Sequence, residues 1–332
     1  MSVFVIAEAG ANHNRDFKQA KILIDIAVGA GANAVKFQTY SSETLYSKNT
    51  PDFAGYKNIN KLIKEIELPR TWQKDLKMYC DDNGIEFMST PFDEAAVEEL
   101  VSLGVKRLKI AGFESTDPRF VKMVASAGLP IIASAGIGNN LLSIGDIIQW
   151  VSEEQKNPDI TILHCNNAYP TPDKDINLNR IESIKEMYED IKVGLSDHTE
   201  GILAPSLAVA KGATCIEKHY TISKRLYGPD HPFALEPEEL NVMIKNIRLS
   251  EKMCKDTESM LTDSESRFSK AMRSVVTTRN VEKGEILTQS NTTTKRPFLD
   301  GNIHASKYYS TLGAIANKKI AFDDFVTEKD IE

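Results

Sequence analysis

The chain has 332 residues, with 40 Lys and Arg against 47 Asp and Glu, which gives a formal net charge of −7. Hydrophobic residues make up 41% and charged residues 26% of the chain, as in ordinary soluble globular proteins. The acidic balance argues against nucleic-acid and membrane-surface binders, because both need a basic patch. No apolar run approaches the roughly 20 residues of a membrane helix, and no secretory signal is expected. The four cysteines lie far apart without a CxxC pair, which favours reduced thiols and a cytoplasmic protein.

Short apolar runs alternate with stretches of helical spacing over the first 255 or so residues. Several of the runs are almost continuously apolar, as expected for parallel strands that are covered on both faces. The predicted strands are Val3–Ala7, Ala34–Phe37, Ile85–Met88, Arg107–Ile110, Pro130–Ala133, Ile160–Leu163, Lys192–Leu195 and Thr214–Ile216. The predicted helices are Phe17–Gly29, Arg70–Asn83, Asp93–Leu103, Pro118–Ala127, Ser143–Glu154, Leu178–Tyr188, Gly201–Ala210 and Glu236–Lys252.

Eight β/α repeats in about 250 residues predict a TIM barrel over residues 1–255. A doubly wound sheet is the alternative, because alternation alone does not show closure. Its dinucleotide fingerprint is incomplete, since Gly136 and Gly138 follow a strand but Leu141 takes the third glycine position. A polar, charged stretch then predicts a linker over 256–272, and short apolar segments predict a small β-rich domain over 273–332.

Polar side chains follow each predicted strand. In a barrel these ends meet at one rim, where the βα loops form the active site. The residues are Glu8; Lys36 and Gln38; Ser89 and Thr90; Lys109 and Glu114; Ser134; His164, Asn166 and Asn167; Ser196, Asp197 and His198; and Glu217, Lys218 and His219. We therefore expect an active site at this rim.

His198 and His219 end successive strands, which run about 4.8 Å apart in a sheet. They are candidates to share one divalent metal ion, with Asp197 and Glu217 beside them to orient or supplement them. Without thiolate ligands, such a site favours a catalytic metal with open positions. The alternative is that both histidines bond to backbone at the strand ends, which is the expected role of His164.

Lys36 and Lys109 lie within apolar strands, where an unpaired charge is unfavourable. They suggest an anionic ligand such as a phosphate or carboxylate, helped by the hydroxyls of Ser89, Thr90, Ser134 and Ser196. A structural ion pair and a Schiff-base lysine remain open at this point. Glu8 and Glu114 are candidate acid/base groups, or salt-bridge partners of the same lysines.

Ten segments of the chain resemble the sialic acid synthase family, the phosphoenolpyruvate-dependent nonulosonic acid synthases, over nearly its whole length. In the barrel they are IAEAGANHN (6–14), AVKFQT (34–39), STPFD (89–93), LKIAGFES (108–115), HCNNAYPTP (164–172), GLSDHT (194–199), IEKHY (216–220) and GPDHPFALEP (228–237). In the tail, RSVVTTRNVEKGEILT (273–288) and TKRP (294–297) resemble the antifreeze-like SAF domain that ends these enzymes.

The resemblance implies a TIM barrel followed by an SAF domain, in a homodimer whose tail reaches over the partner's active site. It implies condensation of phosphoenolpyruvate with the open-chain aldehyde of an N-acylated mannosamine-type sugar, giving a nine-carbon 2-keto acid and phosphate. His198 and His219 would bind Mn²⁺ or Mg²⁺. The matching phosphoenolpyruvate-binding positions are Lys36, Thr90, Lys109, Ser134, Asn167 and Ser196. The matching sugar-side positions are Glu8, Glu114, Tyr169, Asp230 and, from the partner's tail, Arg296; the catalytic candidates are Glu114, Glu8 and Lys109.

Departures from the family pattern bear on the sugar substrate. Gly112 stands where the sialic pattern has a serine, and Phe113 is closer to the pseudaminic pattern, whereas 228–231 resembles the sialic and legionaminic branches. Arg15, Ala135 and Phe298 also differ from it. We expect N-acetylneuraminate synthesis first and a legionaminate or pseudaminate synthase, acting on a 6-deoxy diacetamido hexose, as the alternative. Remoter alternatives are a Schiff-base aldolase and a non-catalytic carbohydrate-binding protein.

Overall fold

The computed structural model describes residues 2–52, 55, 57–255 and 261–332. The chain forms two compact units, Met1–Lys255 and Asp256–Glu332. Of the predicted linker, residues 256–260 lie outside the described residues. Among the described residues, no helix is both long and apolar enough to cross a membrane.

The first unit is a nearly closed barrel of eight parallel strands, as predicted. The hydrogen-bonded order β3-β2-β1-β8-β7-β6-β5-β4 pairs the first strand with the last, and β3 lies beside β4. The doubly wound alternative is therefore wrong. The strands are β1 Phe4–Glu8, β2 Ala34–Thr39, β3 Glu86–Pro91, β4 Leu108–Ile110, β5 Ile131–Ala135, β6 Ile160–Cys165, β7 Lys192–Asp197 and β8 Cys215–His219.

Helices follow the strands and cover the outside of the sheet, where the main apolar core lies. They are α1 Phe17–Ala30, α2 Ile59–Ile66, α3 Gln73–Asp82, α4 Glu94–Ser102, α5 Pro118–Ala125, α6 Leu141–Glu154, α7 Asn179–Met187, α8 Leu203–Ala210 and α9 Pro237–Met253. Local chemistry sets several boundaries: the Asp16 side chain accepts from the Lys18 and Gln19 amides, and Gly31 ends α1 with φ 81°. The short helix α2 was not predicted, although Ile59 and Ile63 share its buried face.

Most strands run further toward their carboxyl ends than the apolar pattern predicted. For example, β2 ends at Thr39 rather than Phe37, and β7 ends at Asp197 rather than Leu195. Most of the added residues are polar, but the sheet pairing continues through them, as in Gln38↔Thr90. Strand pairing uses backbone groups, so it does not stop where the side chains turn polar. The polar strand ends are consequently held rigidly inside the sheet.

Inward-facing side chains form layers because residues alternate between the two faces of each strand. One layer is apolar and consists of Ile6, Ala34, Met88, Ile132, Leu163 and Cys215. Two residues further along these strands lie Glu8, Lys36, Thr90, Ser134, Cys165 and Glu217, all buried. Gly194 sits at the apolar level of β7, where a Cβ would lie 2.1 Å from the Cys215 carbonyl oxygen. The barrel floor is thus filled, and the polar layer lies directly above it.

The second unit is small and β-rich. Strands β9 (Ser274–Thr277) and β10 (Thr292–Lys295) pair antiparallel, and isolated bridges such as Val281↔Ile320 add to them. Its core consists of Val275, Val281, Leu287, Ile303, Ala316, Ile320 and Val326. Two single-turn helices, α10 (Asp263–Ser266) and α11 (Tyr308–Thr311), complete it.

Candidate active site

A buried chain of alternating charges occupies the polar layer of the barrel. Lys36 Nζ lies 2.9 Å from Glu8 Oε2 and 3.6 Å from Glu217 Oε1. The same Glu217 oxygen lies 3.7 Å from Lys109 Nζ. All four side chains are at most 6% exposed. Glu217 therefore holds both lysines from one oxygen, whereas Glu8 pairs with Lys36 alone of the two lysines and also accepts from Gln38 Nε2 at 3.0 Å.

The two carboxylates differ in protonation. Burial favours the neutral acid at Glu217, but Lys109 and Lys36 outweigh it and lower its pKa. At Glu8 burial dominates over the attraction of Lys36 and raises the pKa to about 8. Burial acts against the charged form of Lys36, yet Glu217 and Glu8 raise its pKa, while at Lys109 burial prevails and lowers it. Glu217 is thus the ionised counter-ion of the pair at neutral pH.

Three hydroxyls complete the surroundings of the lysines. Lys36 Nζ donates to Thr90 Oγ1 at 3.0 Å, and Lys109 Nζ donates to Ser134 Oγ at 2.7 Å. Ser196 Oγ donates to Glu217 Oε1 at 3.1 Å. Two ammonium groups and three hydroxyls therefore converge in one buried layer, which is chemistry suited to an anion.

Asn167 lies in the loop after β6, two residues beyond Cys165, and its side chain occupies space that two glycines leave free. Its Oδ1 accepts from the Ile137 amide at 2.8 Å. A Cβ on Gly136 would lie 1.8 Å from this Oδ1, and one on Gly112 would lie 2.7 Å from Asn167 Nδ2. The Asn167 amide thus occupies the space that a side chain at position 112 would need. This accounts for glycine at position 112 in place of the serine of the sialic pattern.

His198 and His219 lie beside the polar layer with ring centroids 5.5 Å apart. His198 Nδ1 lies 2.7 Å from the Asn166 carbonyl oxygen, which can only accept, so Nδ1 donates and Nε2 keeps its lone pair. His219 Nδ1 is buried without a hydrogen bond and lies 3.6 Å from Asp230 Oδ2. Burial lowers the pKa of His198 to about 4 and that of His219 well below its usual value.

Two neutral imidazoles fit a divalent metal ion, because a free nitrogen lone pair is what a metal binds. Among the residues that the structure describes, no group of three or more His, Cys, Asp or Glu is arranged as a metal site. Protein ligands from this pair would therefore leave several positions to substrate and water. The alternative in which the histidines bond to the backbone at the strand ends applies to Nδ1 of His198 only, and it leaves Nε2 of the same ring free.

The interpretation of Asp197 as an orienting partner of the histidines is wrong. Asp197 Oδ2 pairs with Lys218 Nζ at 2.7 Å, and its Oδ1 accepts from Thr199. These side chains alternate with the inward ones and face away from them. Ser89 likewise does not join the hydroxyls around the lysines, since its Oγ lies 2.7 Å from Thr39 Oγ1. Glu217 serves the lysines rather than the histidines.

An aromatic wall stands next to the histidines. The Tyr169 ring lies 4.1 Å from the His198 ring and 5.9 Å from Phe233, and Phe233 lies 5.3 Å from His219, centroid to centroid. Asp230 is close by, and burial raises its pKa to about 6. These residues come from the loops after β6 and β8, where the sequence placed the sugar-side residues.

The chain matches two family models, described as the NeuB family over residues 23–259 and the SAF domain over 272–332. This chain belongs to the NeuB family. It is 41% identical to an uncharacterized protein of Methanocaldococcus jannaschii, over 96% of this chain and 90% of the relative. It is 37% identical to the N,N'-diacetyllegionaminic acid synthase of Campylobacter jejuni, over 98% of both chains. A solved N-acetylneuraminic acid synthetase from Leptospira borgpetersenii, in complex with citrate, matches with a TM-score of 0.74, 34% identity and coverage of 81% and 90%.

The remaining predicted residues of this NeuB-family chain lie apart from the charge chain. Glu114 follows β4; its Oε2 is buried without a hydrogen bond, and burial raises its pKa. It makes no ion pair with a lysine within the described residues, so the salt-bridge alternative fits Glu8 but not Glu114. His164 Nε2 donates to the Ile176 carbonyl at 2.6 Å, which is the strand-end role expected of it. Arg296 is exposed and follows β10 in the second unit.

Sequence reasoning missed two features of the site. The first is Glu217, which was expected to be a partner of the histidines. The second is Cys165, which was not predicted; it lies in the polar layer, with its Sγ 3.9 Å from His198 Nδ1. Counting every second residue along β8 and β6 places both side chains inward, and would have identified them.

We expect Glu217→Gln to destabilise the protein far more than Glu8→Gln at pH 7. The first change removes the only carboxylate within 4.0 Å of Lys109 in the described structure, at a cost of roughly 3–5 kcal/mol. Glu8→Gln resembles the protonated state of Glu8 that a pKa of about 8 already favours, and Lys36 retains its ion pair with Glu217. We therefore expect the free energy of unfolding to fall by about 1 kcal/mol or less. Urea unfolding followed by circular dichroism measures both; equal losses would contradict the assignment of Glu217 as the counter-ion.

Proposed function

We propose that this protein is a phosphoenolpyruvate-dependent nonulosonic acid synthase. The observation that carries the proposal is the buried pair of lysines with three hydroxyls, directly beside two neutral histidines at the carboxyl ends of the barrel strands. A small, highly charged anion and a divalent metal would bind side by side in such a site. The synthases to which the chain is similar support the same reaction class.

In this proposal the phosphate and carboxylate of phosphoenolpyruvate bind to Lys36 and Lys109, with Thr90, Ser134, Ser196 and Asn167 as further hydrogen-bonding groups. Lys36 already donates to Thr90, and Lys109 to Ser134, so each ammonium is fixed before the anion arrives. Preorganised donors are effective because little reorganisation is needed on binding. Glu217 keeps the lysines in place while the site is free of substrate.

The chemistry joins C3 of phosphoenolpyruvate to the aldehyde carbon of an open-chain amino sugar. The aldehyde oxygen takes up a proton and becomes a hydroxyl. Water adds to C2 and loses one proton, and the C2–O bond to phosphate breaks as the second proton leaves, so that a 2-keto acid and phosphate remain. Glu114 would take the proton of that water, because it has a buried oxygen without a partner and a raised pKa. Glu8, Tyr169 and Asp230 would hold the sugar, and with a pKa of about 8 Glu8 can exchange a proton near neutral pH.

His198 and His219 would hold Mn²⁺ or Mg²⁺, which supplies Lewis-acid polarisation of the aldehyde when bound. We expect His198→Ala and His219→Ala to abolish Mn²⁺ binding, measured by electron paramagnetic resonance, and metal-dependent turnover. His164→Gln is the matched control for Mn²⁺ affinity alone, since this histidine lies outside the pair and its ring nitrogen bonds to the Ile176 carbonyl. Unchanged Mn²⁺ affinity in either alanine variant would exclude this pair as the metal site.

Two sugars compete as the physiological substrate. N-acetylmannosamine is the first expectation, on the sialic-type motifs. A 6-deoxy diacetamido hexose is the second, and the similarity to a legionaminic acid synthase over 98% of both chains favours it.

A phosphate-release assay tests both the reaction and the sugar. In the presence of Mn²⁺, we expect phosphoenolpyruvate to release phosphate when N-acetylmannosamine or a diacetamido sugar is added, with kcat/KM at least tenfold higher for the true sugar substrate. A reaction with pyruvate and borohydride is the control: labelling of Lys109, whose pKa is lowered, would indicate a Schiff-base aldolase instead. Absence of phosphate release with every sugar would overturn the proposed synthase function.

We also propose a cytoplasmic homodimer in which Arg296 of one chain completes the partner's sugar site. The free cysteines, Cys80, Cys165, Cys215 and Cys254, suit a reducing compartment. The exposed guanidinium of Arg296 suits an amide or carboxylate of a bound sugar.

Mixing two inactive variants tests this arrangement. Arg296→Ala and His198→Ala should each be inactive alone. After unfolding and refolding as an equal mixture, about a quarter of the wild-type activity should return, because half of the dimers are mixed and each has one intact site. No recovery, together with mixed dimers seen by native mass spectrometry, would show that Arg296 does not act across the dimer.

A further inference from the structure

A cavity of about 440 Å³ lies next to the candidate active site, between the loops that follow β5 and β6. We call it the Arg180 cavity. Its lining includes Gly136, His164, Asn167, Asp175, Asn177 and Arg180. Asn167 belongs to both the cavity and the proposed phosphoenolpyruvate site, whereas Lys36 and Lys109 belong only to the latter. The cavity is therefore a neighbouring compartment and not the lysine cluster itself.

Arg180 brings an uncompensated positive charge to this cavity. Within the described parts of the chain, no carboxylate lies within 4.0 Å of its guanidinium, in contrast to Arg70, Arg107 and Arg248. Its Nη2 donates to the Asn139 carbonyl at 2.6 Å, but its Nε is buried without an acceptor. Burial lowers the Arg180 pKa, and no acidic neighbour offsets that effect. An N–H on a charged group left in this state favours an anionic acceptor.

His164 brings the opposite requirement. It is 3% exposed, and its Nε2–H donates to the Ile176 carbonyl, so Nδ1 carries a lone pair. This Nδ1 is buried without a hydrogen-bond donor. Burial lowers the His164 pKa and keeps the ring neutral. A ligand that satisfies both residues must accept from Arg180 and donate to His164.

We propose that the Arg180 cavity binds hydrogen phosphate, and that it receives the phosphate released by the reaction. The dianion HPO₄²⁻ has oxygens for the guanidinium and one P–OH hydrogen for an acceptor such as His164 Nδ1. Asp175, at the exposed rim, is a second acceptor that disfavours anions without a hydrogen. The binding stands on the cavity alone; the role as a product site rests on the proposed function. Cys165 provides the connection, because it lines the cavity and also lies in the polar layer with the lysines.

Isothermal titration calorimetry of the full chain in metal-free buffer tests the binding. Inorganic phosphate, sulfate and phosphoenolpyruvate are titrated into wild type, Arg180→Gln, Arg180→Lys and Lys174→Gln. Lys174 is the matched control, an exposed cation in the loop that precedes α7, with no ion pair in the described structure. Arg180→Gln should weaken phosphate binding by about tenfold to a hundredfold, as expected for loss of a charged hydrogen bond. The phosphate affinity of Arg180→Lys should lie between those of wild type and Arg180→Gln, and the phosphate affinity of Lys174→Gln should equal that of wild type.

The relative affinities for phosphate, phosphoenolpyruvate and sulfate distinguish phosphate binding in this cavity from binding at the lysine cluster and from a purely structural role of Arg180. Phosphoenolpyruvate affinity should change less than threefold in Arg180→Gln; equal losses for both ligands would place Arg180 in the phosphoenolpyruvate site and overturn the proposal. A lower melting temperature with unchanged phosphate affinity would overturn it too, because Arg180 would then only hold the Asn139 loop. Wild type should bind sulfate, which has no hydrogen to donate, at least tenfold more weakly than phosphate, and equal affinities would contradict the role of His164.

The role in the reaction has its own measurement. In a working assay, Arg180→Gln should raise the product-inhibition constant of phosphate by at least tenfold while the KM for phosphoenolpyruvate stays within threefold. An unchanged inhibition constant would refute the product site. If no sugar supports turnover, the proposed synthase function fails, whereas the calorimetric result on phosphate stands or falls independently.

Discussion

Two ammonium groups lie inside this barrel, and one carboxylate oxygen of Glu217 holds both. Lys36 and Lys109 approach that oxygen at 3.6 and 3.7 Å in a layer from which water is almost excluded. Charges in such surroundings are tolerated only when they are paired and hydrogen-bonded. Two lysines and one firmly ionised carboxylate leave the layer short of negative charge, because burial raises the pKa of Glu8 to about 8. This deficit is what a small anionic substrate would supply, although the protein as a whole is acidic.

The regular alternation of side chains determines which polar residues take part. Glu217 and His219 face inward on β8, whereas Lys218 between them faces outward and pairs with Asp197 of β7. The same rule sends Thr90 to Lys36 and its neighbour Ser89 to Thr39. Each strand end therefore carries two polar sets with different tasks: one serves the site, and the other fastens the sheet to itself and to the helices. Residues that are adjacent in sequence are separated by the sheet.

The sequence was sufficient for the alternation of strands and helices, because continuous apolar runs and helical spacing are local signals. It was also sufficient to place charged residues at the strand ends. It did not reveal which carboxylate meets which lysine, because that depends on the pairing of β8 with β1 and β7, far away along the chain. The relation between Gly112 and Asn167 is of the same kind: a missing side chain on one strand is filled by an amide 55 positions later. Helix α2 was missed because its eight residues carry only a short apolar face.

Burial lowers the pKa of both kinds of basic residue in this site, and the neighbouring carboxylates decide where that effect prevails. For His198 and His219, burial lowers the pKa, so both rings are neutral at physiological pH and keep a lone pair. For Lys36, the surrounding carboxylates reverse the effect of burial and maintain the charge. A metal site needs neutral nitrogen, and an anion site needs charged nitrogen. The barrel provides both side by side: Glu217 pairs with the two lysines, whereas the ion-pair partner of His219 is Asp230, whose Oδ2 lies 3.6 Å from Nδ1 without a hydrogen bond.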